Sequence, residues 1–206
     1  MRKNNYPGKY IVLEGIDGCG KSTQIKLLSE YLKEITAPYV VTAEPTKDSP
    51  FADKIATILK SKDSFITALD LQSLYVEDRN YHMVRTVIPA LGSGKTVISD
   101  RSFISTFAYG MAFGLDFEKI LKLHMDILGD NWIKPDVAFY IDIDVKTSLS
   151  RILKNRNEVS FFEKKENLEL IRKQYLSLQS KGWMARVNGK RTPNQIFDYL
   201  KKKLNI

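Results

Sequence analysis

Five short runs of β-branched and aromatic residues punctuate this chain, and the apolar positions between them recur at helical spacing. The runs are Tyr10-Ile11-Val12-Leu13, Tyr39 to Ala43, Thr96 to Ser99, Val137 to Ile143 and the shorter Met184 to Val187. Their near-continuous apolar character predicts buried strands. Ile25, Leu27, Leu28, Tyr31 and Leu32 mark a first helix, and Ser49-Pro50 starts a second that buries Phe51, Ile55, Ile58 and Leu59. A long helical pattern from about Ala68 to Leu91 stops at Gly92-Ser93-Gly94. Later stripes run through Phe117, Ile120, Leu121, His124 and Leu128, through Leu149, Ile152 and Leu153, and through Leu168, Ile171, Tyr175 and Leu178. Asp144 is placed to cap a helix, and Thr192-Pro193-Asn194-Gln195 is a capping box. This alternation, without repeats or low-complexity linkers, predicts one α/β domain over residues 1–206. Its sheet is doubly wound, mostly parallel and five-stranded, with helices on both faces.

Between the first strand and first helix lies Glu14-Gly15-Ile16-Asp17-Gly18-Cys19-Gly20-Lys21-Ser22-Thr23. Two glycines with four residues between them, followed by Lys-Ser, form the spacing of a nucleotide phosphate loop. Backbone N–H groups approach a phosphate closely only where no Cβ intervenes, and the new helix adds its positive dipole end. Residues Gly15 to Thr23 are therefore the expected ATP site of a P-loop NTPase type of fold. Lys21 faces the β- and γ-phosphates there, and the Ser22 hydroxyl binds Mg²⁺. A Gly-rich turn alone would match the glycines, but not the Lys-Ser pair between a strand and a helix.

Composition adds exclusions. No apolar run approaches the roughly 20 residues of a membrane span, and the start Met-Arg-Lys-Asn-Asn-Tyr-Pro lacks the apolar middle of a signal peptide, so a cytoplasmic protein is expected. The only cysteine, Cys19, lies in the loop, which rules out an internal disulfide and a cysteine metal cluster. The net charge of +8 is scattered over helix faces and both ends, Lys201-Lys202-Lys203 included. It points to polyphosphate ligands rather than stable nucleic-acid binding.

Two further sets of residues are placed to meet a ligand. Tyr75, Arg79 and His82 share one face of the long helix, although spacing alone reads equally well as core. Asp100-Arg101 follows the third strand, at the carboxyl end where ligands sit in such sheets. If residues 101 to 112 are helical, Arg101, Ser105 and Tyr109 line one face, and Phe103, Phe107 and Met111 line another that is core or subunit interface. His124 on an apolar stripe reads as a core residue, and neither histidine is assigned a metal.

These motifs, in this order, resemble the thymidylate kinases over nearly the whole chain. The resemblance rests on Glu14-Gly15-Ile16-Asp17-Gly18, Glu44-Pro45, Asp78-Arg79, Asp100-Arg101, Ser105-Thr106-Phe107-Ala108-Tyr109 and Lys134-Pro135-Asp136. It implies phosphorylation of thymidine monophosphate by ATP with Mg²⁺, and a homodimer. It also implies that Arg101 clamps the acceptor phosphate, Asp100 holds the Mg²⁺ water shell, Tyr75 stacks on the base and Arg79 donates to a base carbonyl. Asp17 would reach the sugar 3′-hydroxyl, Tyr109 would crowd the 2′ position, and Ser105 and Thr106 would line the acceptor.

The chain departs from that family in three places. Ala43 precedes Glu44-Pro45 where many members have arginine, leaving Lys47 as the nearest basic substitute. Ser102 follows Asp100-Arg101 where an aromatic or histidine is common. Ser160-Phe161-Phe162-Glu163 stands where members often have Asp-Arg before the glutamate. The charge-rich stretch from about 151 to 165 reads as a mobile cover, and Arg151, Lys154 and Arg156 are its candidates for the catalytic charge, Arg156 first among them. Two rivals remain open at this point. One is a deoxynucleoside kinase with Glu44 as base, and the other is a nucleotide-binding regulatory protein.

Overall fold

The computed structural model describes residues 1–60, 66–155 and 160–206. Its five strands are β1 (Tyr10–Glu14), β2 (Tyr39–Ala43), β3 (Thr96–Asp100), β4 (Val137–Asp142) and β5 (Ala185–Asn188). They form one sheet in the order β2-β3-β1-β4-β5, every pairing parallel. All five residues of β1 are buried, as its apolar run requires at the sheet centre.

The chain leaves β1 for one edge, returns through β3, and then crosses to β4 on the other side. The turns after β1 and β3 therefore open at the same crevice. Leu13 pairs with Asp100, Asp100 also pairs with Ala43, and the Arg101 N–H donates to the Leu13 carbonyl at 2.9 Å. The strand ends Glu14, Glu44 and Arg101 thus converge.

Helices surround the sheet. α1 (Lys21–Glu34) packs on α9 (Pro193–Leu204), while α3 (Ala68–His82), α5 (Phe103–Ala112), α6 (Phe117–Leu128) and α8 (Lys165–Ser180) pack among themselves. The remaining helices are α2 (Ala52–Lys60), α4 (Ile88–Gly92) and α7 (Val145–Asn155). The expected caps at Asp144 and Thr192 are present, each side chain accepting a backbone N–H. Among the described residues, no helix is long and apolar enough to cross a membrane.

Three local expectations are corrected. The helical pattern over 68–91 is not one α-helix, because Met83–Val87 widens into a π turn in which the Ile88 N–H bonds the Met83 carbonyl. Pro89 is the cause: it has no N–H, and its ring would collide with the carbonyl four residues back in a regular ladder. Pro50 lies in the turn before α2 rather than at its first position. Arg101 precedes α5 instead of sitting on it, with Ser102 as the N-cap, whose hydroxyl accepts the Ile104 N–H. Phe103 and Phe107 belong to the core, in an aromatic cluster with Trp132, Trp183 and His124, which removes them from any subunit interface.

Candidate active site

The phosphate loop is shaped by its glycines. Gly15, Gly18 and Gly20 have φ of 141°, 72° and 108°, a region that L side chains rarely adopt. A Cβ on Gly15 would lie 2.7 Å from the Ile141 carbonyl, and one on Gly18 would lie 2.7 Å from the Ser148 carbonyl. Ile16 and Cys19 are buried beneath the loop, and burial pushes the Cys19 thiol pKa up, so it packs rather than reacts. Lys21 is buried, with Nζ 3.1 Å from the Gly15 carbonyl, 3.7 Å from Asp100 and 3.9 Å from Asp17. A cavity of about 690 Å³ runs along the loop from Asp17 to Gln24, with Asp100, Arg101, Arg151 and Lys154 on its walls. Arg151 donates to the carbonyls of Gly18 and Cys19 at 3.2 and 3.3 Å, tying α7 to the loop.

Magnesium fits the residues present. Asp100 Oδ1 is buried without a hydrogen-bond partner, and Ser22 is exposed on the same cavity. Mg²⁺ prefers hard oxygen ligands and is bound through one or two carboxylates plus substrate phosphates rather than a protein cage.

A second cavity of about 390 Å³ opens on the other side of Arg101. Tyr75, Arg79, Thr106 and Tyr109 form one side, Glu44 and Pro45 another, and the turn Ser160 to Glu163 the cover. Asp17, Glu44 and Arg101 line both cavities.

Arg101 stands at this junction. It is a non-glycine residue with φ of 76°, held by its own contacts. Nη2 donates to Asp17 at 2.7 Å, Nη1 donates to Ser105 and Tyr175 at 3.2 Å, and the guanidinium lies 5.2 Å from the Tyr109 ring centre. Ser105 lines the second cavity, and its hydroxyl donates to Glu14 at 2.7 Å.

Glu14 is the residue that sequence reasoning missed. It is fully buried and accepts from Ser102, Ser105 and Tyr175 at 2.7 to 2.9 Å. Burial pushes its carboxyl pKa up, against the nearby Arg101 charge. This explains Ser102, whose hydroxyl both caps α5 and holds Glu14. The available signal was an acidic residue ending a wholly apolar strand.

Arg79 is only 4% exposed and largely committed inside the protein. Nε donates to Glu44 at 2.7 Å, Nη1 to Thr106 at 2.9 Å and to His124 at 3.1 Å, and Nη2 to the Ser102 carbonyl at 3.1 Å. Those four partners leave one of the five guanidinium N–H groups for a ligand. His124 is a core residue with a task. Its Nδ1 donates to the Ile120 carbonyl, its Nε2 accepts from Arg79, and burial beside that charge lowers its pKa to about 3.

Glu44 accepts from His82 Nδ1 at 3.0 Å as well as from Arg79. Burial alone would raise its pKa, but the Arg79 charge and the His82 hydrogen bond outweigh that and hold it below the usual carboxylate range. Asp78, the other half of Asp78-Arg79, accepts from the Thr46 N–H and hydroxyl and from the Ser49 hydroxyl. It thereby fixes the loop after Glu44-Pro45.

That loop corrects the expectation for Lys47. With Thr46 and Ser49 tied to Asp78, Lys47 is exposed on a neighbouring groove that reaches Ser22 and Asp100, not on the second cavity. In the cover stretch, residues 151–155 finish α7, and Phe161–Glu163 form a 3₁₀ turn before α8. Phe161 and Phe162 pack on Phe113, and Phe162 on Tyr109, so this part of the cover is an apolar wall rather than a charged one. Arg156 lies outside the described residues.

The thymidylate kinase family model matches residues 13–199. A probable thymidylate kinase of Thermococcus kodakarensis is 40% identical, over 82% of this chain and 83% of that protein. Thymidylate kinases of Desulfotalea psychrophila and Brachyspira hyodysenteriae are 37% and 34% identical, over 82% and 93% of this chain and 80% and 90% of theirs. The family-model match spans the phosphate loop from Leu13 onward, the junction at Arg101 and the helices around the second cavity, and with these relatives it shows that the chain belongs to the thymidylate kinase family.

Proposed function

We propose that the chain transfers the terminal phosphoryl group of ATP to thymidine monophosphate, giving ADP and thymidine diphosphate. The observation that carries this reading is the pair of cavities meeting at Asp17, Glu44 and Arg101. One holds the donor on the phosphate loop, and the other holds a nucleotide acceptor whose phosphate points at the junction.

The acceptor oxygen is already ionised, so the reaction needs alignment and charge neutralisation rather than a base. Lys21 stabilises charge growing on the transferred group, and Arg101 draws the acceptor phosphate into line from the other side. Ser22 and, through water, Asp100 would hold Mg²⁺, which would supply Lewis-acid neutralisation of the donor phosphates. Tyr75 supplies a ring face for the base, the remaining Arg79 N–H a donor for a carbonyl, Asp17 an acceptor for the 3′-hydroxyl and Tyr109 the crowding at 2′. Arg156 remains the candidate for a further cover charge.

Glu44 does not suit the deoxynucleoside kinase reading. A general base works best with a pKa near the operating pH, whereas Glu44 is ionised and clasped by Arg79 and His82. A regulatory switch would leave the second cavity without a task. The test is ADP release with Mg-ATP and a panel of acceptors. Thymidine monophosphate is expected to be strongly preferred over other monophosphates, with thymidine inactive. Turnover of thymidine alone would instead reinstate Glu44 as a base.

A homodimer belongs to the same proposal. With the aromatic stripe of α5 in the core, the candidate face shifts to Leu69, Val84 and Met125, apolar side chains 41%, 46% and 59% exposed on α3, the π turn and α6. Sedimentation equilibrium is expected to give twice the chain mass, and Met125→Glu to shift it toward the monomer. A monomeric parent protein would reject the proposal.

A further inference from the structure

Gln72 is a buried polar residue on the acceptor cavity that none of the roles above uses. It lies on α3 three residues before Tyr75 and seven before Arg79, a spacing that puts all three on one helix face. It lines the same cavity, is 2% exposed, and has no hydrogen-bond partner for its Oε1. Buried amide oxygens are nearly always paired, and leaving one unpaired is costly, so a residue serving only as wall would be better apolar. An unsatisfied carboxamide at a ligand cavity points to a partner that arrives with the ligand.

The chemistry of the base indicates which partner. The pairing edge of thymine presents a carbonyl, an N3–H and a second carbonyl, so it needs an acceptor between two donors. Arg79 is a donor only, and its guanidinium is pinned by four protein partners. Each Glu44 oxygen already accepts one hydrogen bond, and the Thr106 hydroxyl oxygen accepts from Arg79 with a second lone pair left over, so these acceptors are at least partly satisfied without a ligand. Among the described residues lining this cavity, Gln72 Oε1 is the buried side-chain acceptor with no partner at all.

We propose that Gln72 is a specificity-determining residue of the acceptor site, its Oε1 accepting the N3–H of thymine while Arg79 donates to the 4-carbonyl. The terminal torsion of glutamine is broad, so presenting the oxygen costs little. A cytosine ring would bring an unprotonated N3 to that oxygen. Turning the amide over would satisfy N3 but leave the exocyclic amine facing the fixed Arg79 donor. The two residues together therefore read the base, each closing the escape that the other leaves.

This inference rests on thymidine monophosphate being the acceptor, and the experiment separates the two. kcat/KM is measured for thymidine monophosphate and for its N3-methyl analogue, in which a methyl group replaces the N3 hydrogen and both carbonyls are kept. The wild-type chain, Gln72→Leu and Gln72→Met are compared. The wild type is expected to prefer the natural substrate by about tenfold or more, because a site built to pair a polar group rejects the analogue that lacks it. Both variants are expected to lose about that factor on the natural substrate and to treat the two alike. Unfolding temperatures should hold or rise, since the substitutions remove an unsatisfied buried group. A wild type indifferent to the analogue overturns the proposal, as do variants that keep the wild-type preference. If the acceptor reading itself is wrong, the wild type will not phosphorylate thymidine monophosphate at all.

Discussion

Replacing Arg101 with alanine is expected to lower turnover at saturating ATP and thymidine monophosphate by about two to three orders of magnitude, the cost of removing a preorganised charge from a phosphoryl-transfer site. Among the described residues, Arg101 is the cation that lines both cavities, whereas the loop lysine lines only the one along the phosphate loop, and the geometry of Arg101 is enforced rather than chosen. A left-handed backbone at a non-glycine residue costs roughly 1 to 3 kcal/mol and persists only when its surroundings over-determine it. Here Asp17, Ser105 and Tyr175 hold the guanidinium, and the ring of Tyr109 lies against it. Arg101→Lys keeps the charge but loses the planar fork, so only part of the rate should return. Steady-state kinetics distinguish the roles: a raised KM with unchanged kcat would make Arg101 a ground-state binder and remove it from the transfer step. The thermal midpoint should be followed in the same samples, because Arg101 also faces the buried Glu14.

What the sequence disclosed about this site follows from how local each signal is. Gly15 to Ser22 is one contiguous segment whose chemistry is set by its own backbone, and Arg101 follows a strand short enough to read directly. The shared face of Tyr75 and Arg79 is a matter of helical period. The partners that fix these residues are far away in sequence. Glu14 and Tyr175 meet across 161 positions, and Arg79 and His124 across 45. Periodicity assigned Tyr175 and His124 to apolar stripes correctly, but it carries no information about where a hydroxyl or ring nitrogen points. The placement of Lys47 on a neighbouring groove was illegible for a related reason, since the course of its loop is decided by Asp78 on a helix. The π turn was foreshadowed by Pro89 alone, and a proline inside a helical pattern announces an interruption without saying which kind.

Arg79→Met should produce the largest loss of stability, and its analysis separates holding from binding. The Arg79–Glu44 pair is 5% and 4% exposed at 2.7 Å, and removing one member of a buried pair typically costs about 3 to 5 kcal/mol because the other charge is stranded. The pH dependence has a definite sign. Glu44 has a folded pKa below its ordinary value near 4.5, so its contribution is complete above that value and is lost as pH falls through the folded pKa. In the variant Glu44 keeps its burial but loses the guanidinium, so protonation relieves it. The stability gap between wild type and variant should therefore narrow as the pH drops below the carboxylate range. Thermal unfolding across that range checks this, and a gap independent of pH would mean that lost packing, not charge, is the cause. Adding Glu44→Gln to Arg79→Met should restore much of the stability at neutral pH by removing the stranded charge. It cannot restore the N–H offered to the base, so the KM for thymidine monophosphate should stay raised while that for ATP changes little. If the double variant recovers both stability and thymidine monophosphate KM, Arg79 acts only as a brace, and the base must be read by other groups.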